Sequence, residues 1–184
     1  SLNTFAKPTN VDTSSRILCY DIRDLGKQLQ PVGMLVVLDS VFNRIIRNRK
    51  LGKSTWVYID EIYLLFQHEY SANFLFTLWK RVRKYGACCT GLTQNVDDLL
   101  QSHTARTMLA NSEFLVMLNQ ASTDRAELAR LLNISDNQLS YITNVDFGRG
   151  LIKCGSAIVP FVDSFPRHTR LYQMMTTRPS DLIA

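Results

Sequence analysis

The chain has 184 residues, of which 46% are hydrophobic and 20% charged. This composition is typical of a globular domain with a sizeable core, and it excludes a disordered chain. The longest apolar runs fall far short of the roughly 18 residues that a membrane span needs, and the segment SLNTFAKPTN lacks a signal-peptide pattern. We therefore predict a soluble, cytoplasmic protein. The four cysteines fit neither a disulfide framework nor a metal site, so we expect reduced, buried thiols.

The net charge of +5 comes largely from two basic clusters. Such clusters bind nucleic acid or anionic lipid in some proteins, although a solvated helix face is the commoner explanation. Few aromatic residues lie among the charges, so a stacking platform for single strands is not predicted. One cluster is Arg44, Arg47, Arg49, Lys50 and Lys53, and the other is Lys80, Arg81, Arg83 and Lys84.

The first half of the chain alternates predicted strands and helices. Arg16–Ile22 is predicted as a buried strand, and a helix follows with Pro31 in its first turn and apolar residues at helical spacing up to Ile46. Trp56–Ile59 is short, β-branched and aromatic, which favours a central strand.

The alternation continues through the second half. Next come a helix over 71–85 that stops at Gly86, a strand over 87–92, short helical pieces over 97–109 and a buried strand over 113–118. Two helices follow, with capping-box spacing at Asp124/Glu127 and Ser135/Gln138. Residues 150–154 and 157–162 flank Gly155-Ser156, which predicts a hairpin.

This pattern predicts an α/β fold with a mostly parallel sheet, flanking helices and a C-terminal antiparallel hairpin. We assign residues 1–184 to one domain, with 163–184 as an extended tail. In such sheets ligands bind beyond the carboxyl ends of the strands. Four predicted strand ends carry polar side chains: Asp21; Asp60 and Glu61; Thr93, Gln94 and Asn95; Asn119 and Gln120.

The segment TWVYIDEIYLLF, 55–66, matches the Walker B pattern of four apolar residues followed by Asp-Glu. In that pattern the first acid holds the magnesium shell and the second activates water for attack on a γ-phosphate. The alternative is that Asp60 and Glu61 only cap the following helix. A metal-dependent nuclease would need a lysine close behind the acid, but Tyr63 is there, so nucleotide hydrolysis fits better.

A phosphate loop, G-x-x-x-x-G-K-[ST], should follow an earlier strand and open a helix. The nearest match is Gly52-Lys53-Ser54, but position 47 is Arg and the segment precedes a strand. Either the fold does not hydrolyse nucleotides, or the phosphate loop lies N-terminal to Ser1 and the chain is a fragment.

Four segments together resemble the VirB-four family of conjugation ATPases of type IV secretion systems. They are TWVYIDEIYLLF, FLFTLWKRVRKYGACCTGLTQNVDDLL, ARTMLANSEFLVMLNQ and DRAELARLLNIS. The resemblance implies the C-terminal part of a RecA-like P-loop ATPase domain whose cofactors are ATP and Mg²⁺. It also implies a homo-oligomer, in ring form, that works with other type IV secretion subunits and is peripheral at the inner face of the bacterial cell membrane.

The resemblance also implies roles for individual residues. Asp60 would be the magnesium-side acid, Glu61 the catalytic base and Gln94 the γ-phosphate sensor. Arg83, in the RVRKYG segment, would be an arginine finger; its alternative is a cation that complements a helix dipole. No role is assigned to Asn119, Gln120 or Arg149.

The sequence therefore predicts a C-terminal fragment of an ATPase that powers substrate transfer or pilus assembly in bacterial conjugation. Hydrolysis would need the upstream phosphate loop, so the fragment alone is expected to be inactive. Two alternatives stay open. One is a DNA-translocating pump or coupling-protein relative, in which the basic helix ends contact DNA, and the other is a non-catalytic module that docks onto a partner.

Overall fold

A computed structural model describes residues 7–8, 10–94, 96–120, 122–163 and 165–178. The chain divides into two compact units, residues 1–105 and 106–184. Each has its own sheet. The assignment of the whole chain to one domain stays a prediction.

The first unit is built on two parallel strands, β1 (Thr55–Ile59) and β2 (Ala87–Gly91), paired in register from Thr55 with Ala87 to Ile59 with Gly91. This confirms both predicted strands. The side chains of β1 alternate between half-buried and exposed, with Trp56 66% and Tyr58 67% exposed. One face of the pair is therefore bare, whereas a central strand of a parallel sheet is covered on both faces.

Two long helices accompany this pair, α1 (Gly26–Lys50) and α2 (Glu69–Arg81). The ring of Phe42 on α1 meets Phe74 on α2 edge to face, with centroids 6.3 Å apart. Phe42 also meets Tyr85 edge to face at 5.6 Å. A 3₁₀ turn over Val82–Tyr85 extends α2 and ends at Gly86 in the left-handed region, which confirms the predicted stop.

The prediction of a buried strand over 16–22 is wrong. Residues 16–22 are irregular, and Ile17 is 77% exposed. A strand persists only where a neighbouring strand supplies hydrogen-bond partners for its backbone, and within the described residues none pairs with this segment. The start of α1 also differs, because the helix begins at Gly26 and contains Pro31 in its interior.

Short helices link the two units. They are α3 (Val96–Gln101) in the first unit and α4 (His103–Ala110), which crosses the boundary at residue 105. Both lie within the segment predicted to hold short helical pieces.

The second unit contains a three-stranded antiparallel sheet in the order β3 (Phe114–Met117), β4 (Arg149–Cys154), β5 (Ala157–Val162). β4 and β5 form the predicted hairpin, with Gly155 in the left-handed region at its turn. β3 pairs with β4 in antiparallel register. Among the described residues the parallel part of the fold is therefore one pair of strands, so "mostly parallel" is wrong for the sheets, although the α/β class is confirmed.

Three helices complete the second unit: α5 (Ser122–Leu132), α6 (Asp136–Leu139) and α7 (Arg170–Met175). The capping box at Ser135 and Gln138 is confirmed by hydrogen bonds in both directions. The other predicted box involves the side chain of Asp124, which lies outside the described residues. α7 lies in the segment predicted as an extended tail.

Two predictions need correction: that the cysteines are buried, and that no segment is apolar enough to span a membrane. Cys19, Cys88 and Cys154 are exposed rather than buried, although the cysteines are free as expected. Gln28–Lys50 in α1 is long and apolar enough, with a mean hydropathy of 1.3, to meet the length and composition criterion for a membrane span. Only 17% of that window is buried. Its apolar residues are interrupted by polar ones, so no uninterrupted apolar run in the sequence revealed it.

Candidate functional site

The acid pair follows directly after β1. Asp60 is exposed and its Oδ1 accepts a hydrogen bond from the backbone N–H of Glu61 at 3.0 Å. Glu61 has φ 47° and ψ 49°, in the left-handed region. This conformation costs a residue with a Cβ about 1–2 kcal/mol, so surrounding contacts must hold it in place.

Those contacts come from the end of β2. The backbone N–H of Leu92 donates to the carbonyl of Ile59 at 2.9 Å, and the carbonyl of Leu92 accepts from the N–H of Ile62 at 2.9 Å. The two bonds bracket Asp60 and Glu61 and force the chain to turn sharply between Ile59 and Ile62. The turn after the strand is therefore fixed by tertiary hydrogen bonds.

Gly91 provides the space for this turn. A Cβ built on Gly91 would lie 2.5 Å from Cδ1 of Ile62, which is closer than van der Waals contact allows. Ile62 is buried at the start of a 3₁₀ turn over Ile62–Phe66. Only glycine lets that turn pack against the end of β2 without displacing a neighbour.

The side chain of Glu61 has an unusual environment. The residue is half-buried, and its Oε2 is buried without a hydrogen-bond partner among the described residues. A buried polar atom without a partner costs about 1–3 kcal/mol, and more when it carries charge. Strained backbone and an unsatisfied oxygen at one residue are typical of a functional position, where a water or ligand supplies the missing partner.

Gln94 lies at the same edge of the parallel pair. It is exposed and follows Leu92 by two residues, so the loop that brackets the acid pair also carries this amide. The structure thus brings Asp60, Glu61 and the Gln94 loop together at the carboxyl ends of β1 and β2. Asn95, the other residue predicted at this strand end, lies outside the described residues.

Arg83 lies at the opposite end of the pair. It precedes Gly86, whose carbonyl accepts from the N–H of Thr55 at the start of β1. At roughly 3.3 Å per residue, five-residue strands separate this end from the acid pair by about 16 Å. Arg83 therefore cannot contact a phosphate held by Asp60 and Glu61 of its own chain.

The end of α1, with part of the first basic cluster, lies beside the segment that carries Arg83. Asn48 near the end of α1 donates through Nδ2 to Oγ1 of Thr55 at 2.9 Å, and the guanidinium of Arg49 lies 5.3 Å from the ring centroid of Tyr85. The amino ends of β1 and β2 are thus surrounded by exposed cations, a surface called here the basic end. It consists of Arg47, Arg49, Lys50, Lys53, Arg81, Arg83 and Lys84.

Asp21 follows an irregular segment and so does not end a strand, whereas Thr93 lies in the loop after β2 with Gln94. The other two predicted strand-end residues, Asn119 and Gln120, lie in the second unit and have structural partners. The backbone N–H of Gln120 donates to the carbonyl of Ile142 at 3.0 Å, and Oδ1 of Asn119 accepts from the N–H of Val145 at 3.4 Å. These bonds fasten the segment before β4 to the end of β3. Arg149 is half-exposed, 3.9 Å from Asp146, and lines a cleft of about 460 Å³.

The acid pair is chemically suited to magnesium and nucleotide. Mg²⁺ keeps several waters and takes one or two carboxylates together with substrate phosphates, so one exposed Asp60 carboxylate is enough. Among the described residues, no group of three or more His, Cys, Asp or Glu side chains could hold a metal without such phosphates. Asp60 therefore fits an ion that arrives with a nucleotide.

The site also depends on two residues, Gly91 and Leu92, that no functional motif in the sequence indicates. The only signal was the glycine itself, because glycine inside a strand indicates close approach by another group. Leu92 acts through its backbone, which no side-chain pattern records.

The chain matches one family model and is similar to a solved structure. The family model described as the TraG P-loop domain matches residues 9–150. Among solved structures, the chain is similar to VirB4 of Thermoanaerobacter pseudethanolicus, with 26% identity and a TM-score of 0.76. These findings confirm the resemblance to the VirB-four family. None of the curated proteins compared with the chain matched it.

The similarity to the solved structure covers 88% of this chain and 45% of that one. The chain thus spans less than half the length of the VirB4 structure.

Proposed function

The chain belongs to the TraG P-loop domain family, and on that premise we propose that it is the part of a conjugation ATPase that activates water for ATP hydrolysis. Membership of a P-loop family implies nucleotide binding. The observation that carries the proposal is the buried, unpartnered Oε2 of Glu61, held by a strained backbone beside Asp60 and the Gln94 loop. A general base needs such an oxygen, aimed at a water rather than at another side chain.

Each residue has a distinct task in this proposal. Glu61 accepts the proton of the attacking water, and its fixed backbone keeps the carboxylate aimed at that water. Asp60 would hold the magnesium shell, and the side-chain N–H of Gln94 would donate a hydrogen bond to the γ-phosphate. Mg²⁺, when bound with ATP, neutralises charge on the β- and γ-phosphates.

The phosphate loop of this ATPase would lie outside the 184 residues. The sequence has no G-x-x-x-x-G-K-[ST] match, and the chain spans less than half of the VirB4 structure. Without the backbone cradle and its lysine, the acid pair has little grip on the phosphates. We therefore expect the 184-residue chain alone to hydrolyse ATP negligibly. Turnover equal to that of a protein containing the loop would contradict this.

The acid pair is tested in the protein that includes the phosphate loop. Glu61→Gln keeps size and hydrogen bonding but removes the base, so ATP should still bind while turnover falls at least 100-fold, the lower range for loss of a general base. Asp60→Asn should in addition weaken magnesium-dependent ATP binding. The matched control is Glu69→Gln, an acid at the start of α2. Near-normal hydrolysis by the Glu61 variant would reduce the pair to a cap of the following turn, whereas absence of hydrolysis in the unaltered protein would favour the non-catalytic docking module.

We further propose that Arg83 acts on the nucleotide of a neighbouring copy. Arg83 lies too far from the acid pair of its own chain to act on a nucleotide bound there. The carboxyl ends of β1 and β2 carry Asp60 and Glu61, whereas the amino ends carry the basic end. A head-to-tail ring would join these opposite charges and place a planar, permanently charged guanidinium beside the γ-phosphate of the next copy.

In the cell, we propose that the ATPase powers substrate transfer or pilus assembly with other type IV secretion subunits, peripheral at the inner face of the membrane. A DNA-translocating role is the alternative that the basic end favours. Affinity for duplex DNA that falls steeply with salt would support that alternative.

A further inference from the structure

Glu61 lies directly before a short 3₁₀ turn that has to be held at both of its ends. The turn covers Ile62–Phe66, and the carbonyl of Glu61 accepts from the backbone N–H of Leu64 at 3.0 Å. Hydrogen bonds in 3₁₀ turns have poor geometry, so such a turn is not stable by itself. The hydrogen bonds to Leu92 hold only the end of the turn at which the acid pair lies.

The other end of the turn is fastened by Ser71. The hydroxyl of Ser71, in the first turn of α2, donates to the carbonyl of Leu65, and the two oxygens are 2.6 Å apart. This hydrogen bond is buried. Because a buried carbonyl that loses its partner is costly, the bond keeps the end of the turn against α2.

The burial of Ser71 is unusual for its residue type. Among the residues that the structure describes, Ser71 is the one polar residue that is fully buried, with 4% of its surface exposed. Leu75 and Leu78, which follow at helical spacing on the same face of α2, are buried apolar residues. Alanine would occupy this face without the cost of burying a hydroxyl, so the serine indicates a position where the hydrogen bond is needed.

A hydrogen bond within its own helix is the ordinary use of a helical serine, and Ser71 has that option. Its Oγ lies 3.0 Å from the carbonyl of His68, three residues earlier. The contact with Leu65 is shorter and leaves α2, because Leu65 lies six residues earlier, within the 3₁₀ turn. Since a hydroxyl has a single proton, we assign it mainly to the shorter contact, which joins the turn to the helix.

We propose that Ser71 is a positioning residue for Glu61. The inference rests on the proposed function, in which Glu61 is the base. The hydroxyl of Ser71 fixes the carbonyl of Leu65, and the Glu61–Leu64 hydrogen bond carries this constraint to the backbone of Glu61. Glu61 is thus held from one side through Ser71 and from the other through Leu92. A displacement of about 1 Å at a reacting group can cost roughly 100-fold in rate, so a looser turn should slow hydrolysis.

The test compares Ser71→Ala with Ser112→Ala in the protein that contains the phosphate loop. Ser112 is the matched control, because its hydroxyl also donates to a backbone carbonyl, that of Met108 at 2.8 Å, in the second unit. We expect Ser71→Ala to lower kcat by about 10- to 100-fold with KM for ATP nearly unchanged, and Ser112→Ala to leave both nearly unchanged. Equal falls in kcat would show that any lost serine bond slows the enzyme, which would overturn the proposal.

A second pair of variants isolates the hydroxyl of Ser71. Ser71→Thr and Ser71→Val have nearly the same shape, but only threonine can donate to the carbonyl of Leu65. The extra methyl group affects both variants, so the difference between them reports the hydrogen bond. We expect the threonine variant to keep a clearly higher kcat, and equal kcat values would contradict the role of the hydroxyl.

A double-mutant cycle tests whether Ser71 acts through Glu61. Once Glu61→Gln has removed the base, Ser71→Ala should have little further effect on hydrolysis in a single turnover, whereas independent effects would multiply. Multiplied losses would therefore make Ser71 a residue that merely stabilises the fold.

Hydrogen exchange in the 184-residue chain, without nucleotide, separates this inference from the proposed function. The amides of Ile62–Phe66 should exchange faster in Ser71→Ala than in Ser112→Ala, because only the first variant frees the end of the turn. Unchanged exchange, or faster exchange with a normal kcat, would overturn the role of Ser71 and leave the proposed function intact. Near-normal hydrolysis by Glu61→Gln would instead overturn the proposed function, and this inference with it.

Discussion

Glu61 combines two features that folded chains usually avoid, a left-handed backbone at a residue with a Cβ and a buried oxygen without a partner. Neither feature helps the chain to fold. The backbone turn that contains Glu61 is held by the hydrogen bonds that join Ile59 and Ile62 to Leu92. A substitution that relieves the strain at Glu61 should therefore have a measurable effect on the free energy of unfolding.

We predict that Glu61→Gly is more stable than Glu61→Ala by about 1 kcal/mol, because glycine adopts φ 47° without a Cβ clash. The order should reverse at Asn73, an exposed position inside α2, where alanine is favoured by roughly 0.5–1 kcal/mol. Chemical denaturation of the four variants measures both differences. The same order at the two positions would mean that position 61 is not strained in solution.

Gly91 leads to a second prediction at this scale. Gly91→Ala should lower the free energy of unfolding by about 1–3 kcal/mol, the usual cost of overpacking, because the new methyl group meets Cδ1 of Ile62. Ile62→Val removes that atom. In a double-mutant cycle the two changes together should therefore cost less than their sum. Strict additivity would place the conflict elsewhere.

At the scale of elements, β2 places the side chains of two adjacent cysteines, Cys88 and Cys89, on opposite faces of the sheet. Cys88 is exposed on the side of Trp56, its partner in register, and Cys89 is half-buried on the side of Val57. Burial raises the pKa of Cys89 from 9.0 to about 12, and the neighbouring Cys88 adds to the rise. The thiolate of Cys89, which is the reactive form, is thus scarce until the pH passes well above 9.

We predict that iodoacetamide at pH 8 modifies Cys88 rapidly and Cys89 at least tenfold more slowly in the folded chain. Peptide mass spectrometry assigns the site. In denaturant the burial is lost, so the two rates should converge. The same pKa shift makes the free energy of unfolding depend on pH. The contribution of Cys89 to it is complete below pH 9, where the thiol is protonated in both states. It is lost as the pH rises toward 12, because the unfolded chain releases this proton first. Equal rates in the folded chain would show that β2 does not protect one side.

At the scale of the whole molecule, charge is divided between the two ends of the parallel pair. The acid pair lies at one end and Arg83 with the other cations at the other end. No single copy can bring these groups to one phosphate. Assembly of copies is therefore the step at which the proposed ATPase site would become complete.

We predict that Arg83→Ala, in the protein with its phosphate loop, lowers turnover by roughly 10³ to 10⁵ with little change in ATP binding or thermal stability. A dipole role would cost only about 0.3–1 kcal/mol of stability and leave turnover nearly unchanged. Mixing this variant with Glu61→Gln should restore partial activity, since some interfaces then pair an intact Arg83 with an intact Glu61. The trans role is wrong if demonstrably mixed oligomers stay inactive.

The sequence by itself determined the elements with strong local signals. β1, β2, the end of α2 at Gly86, the Ser135 capping box and the β4–β5 hairpin follow from side-chain pattern and turn chemistry, which act over a few residues. The acid pair was also predicted, because the Asp60-Glu61 motif is contiguous, and the family was predicted from four segments that together resemble it.

Only the tertiary structure decided how those elements are paired and which residues meet. The segment 16–22 has strand-like composition, but a strand needs a partner, and pairing is not written in one segment. The strain at Glu61, its dependence on Leu92 and Gly91, and the separation of Arg83 from the acid pair all arise from contacts between residues distant in sequence. Local pattern cannot specify such contacts, because it fixes what a segment can form and not which neighbour completes it.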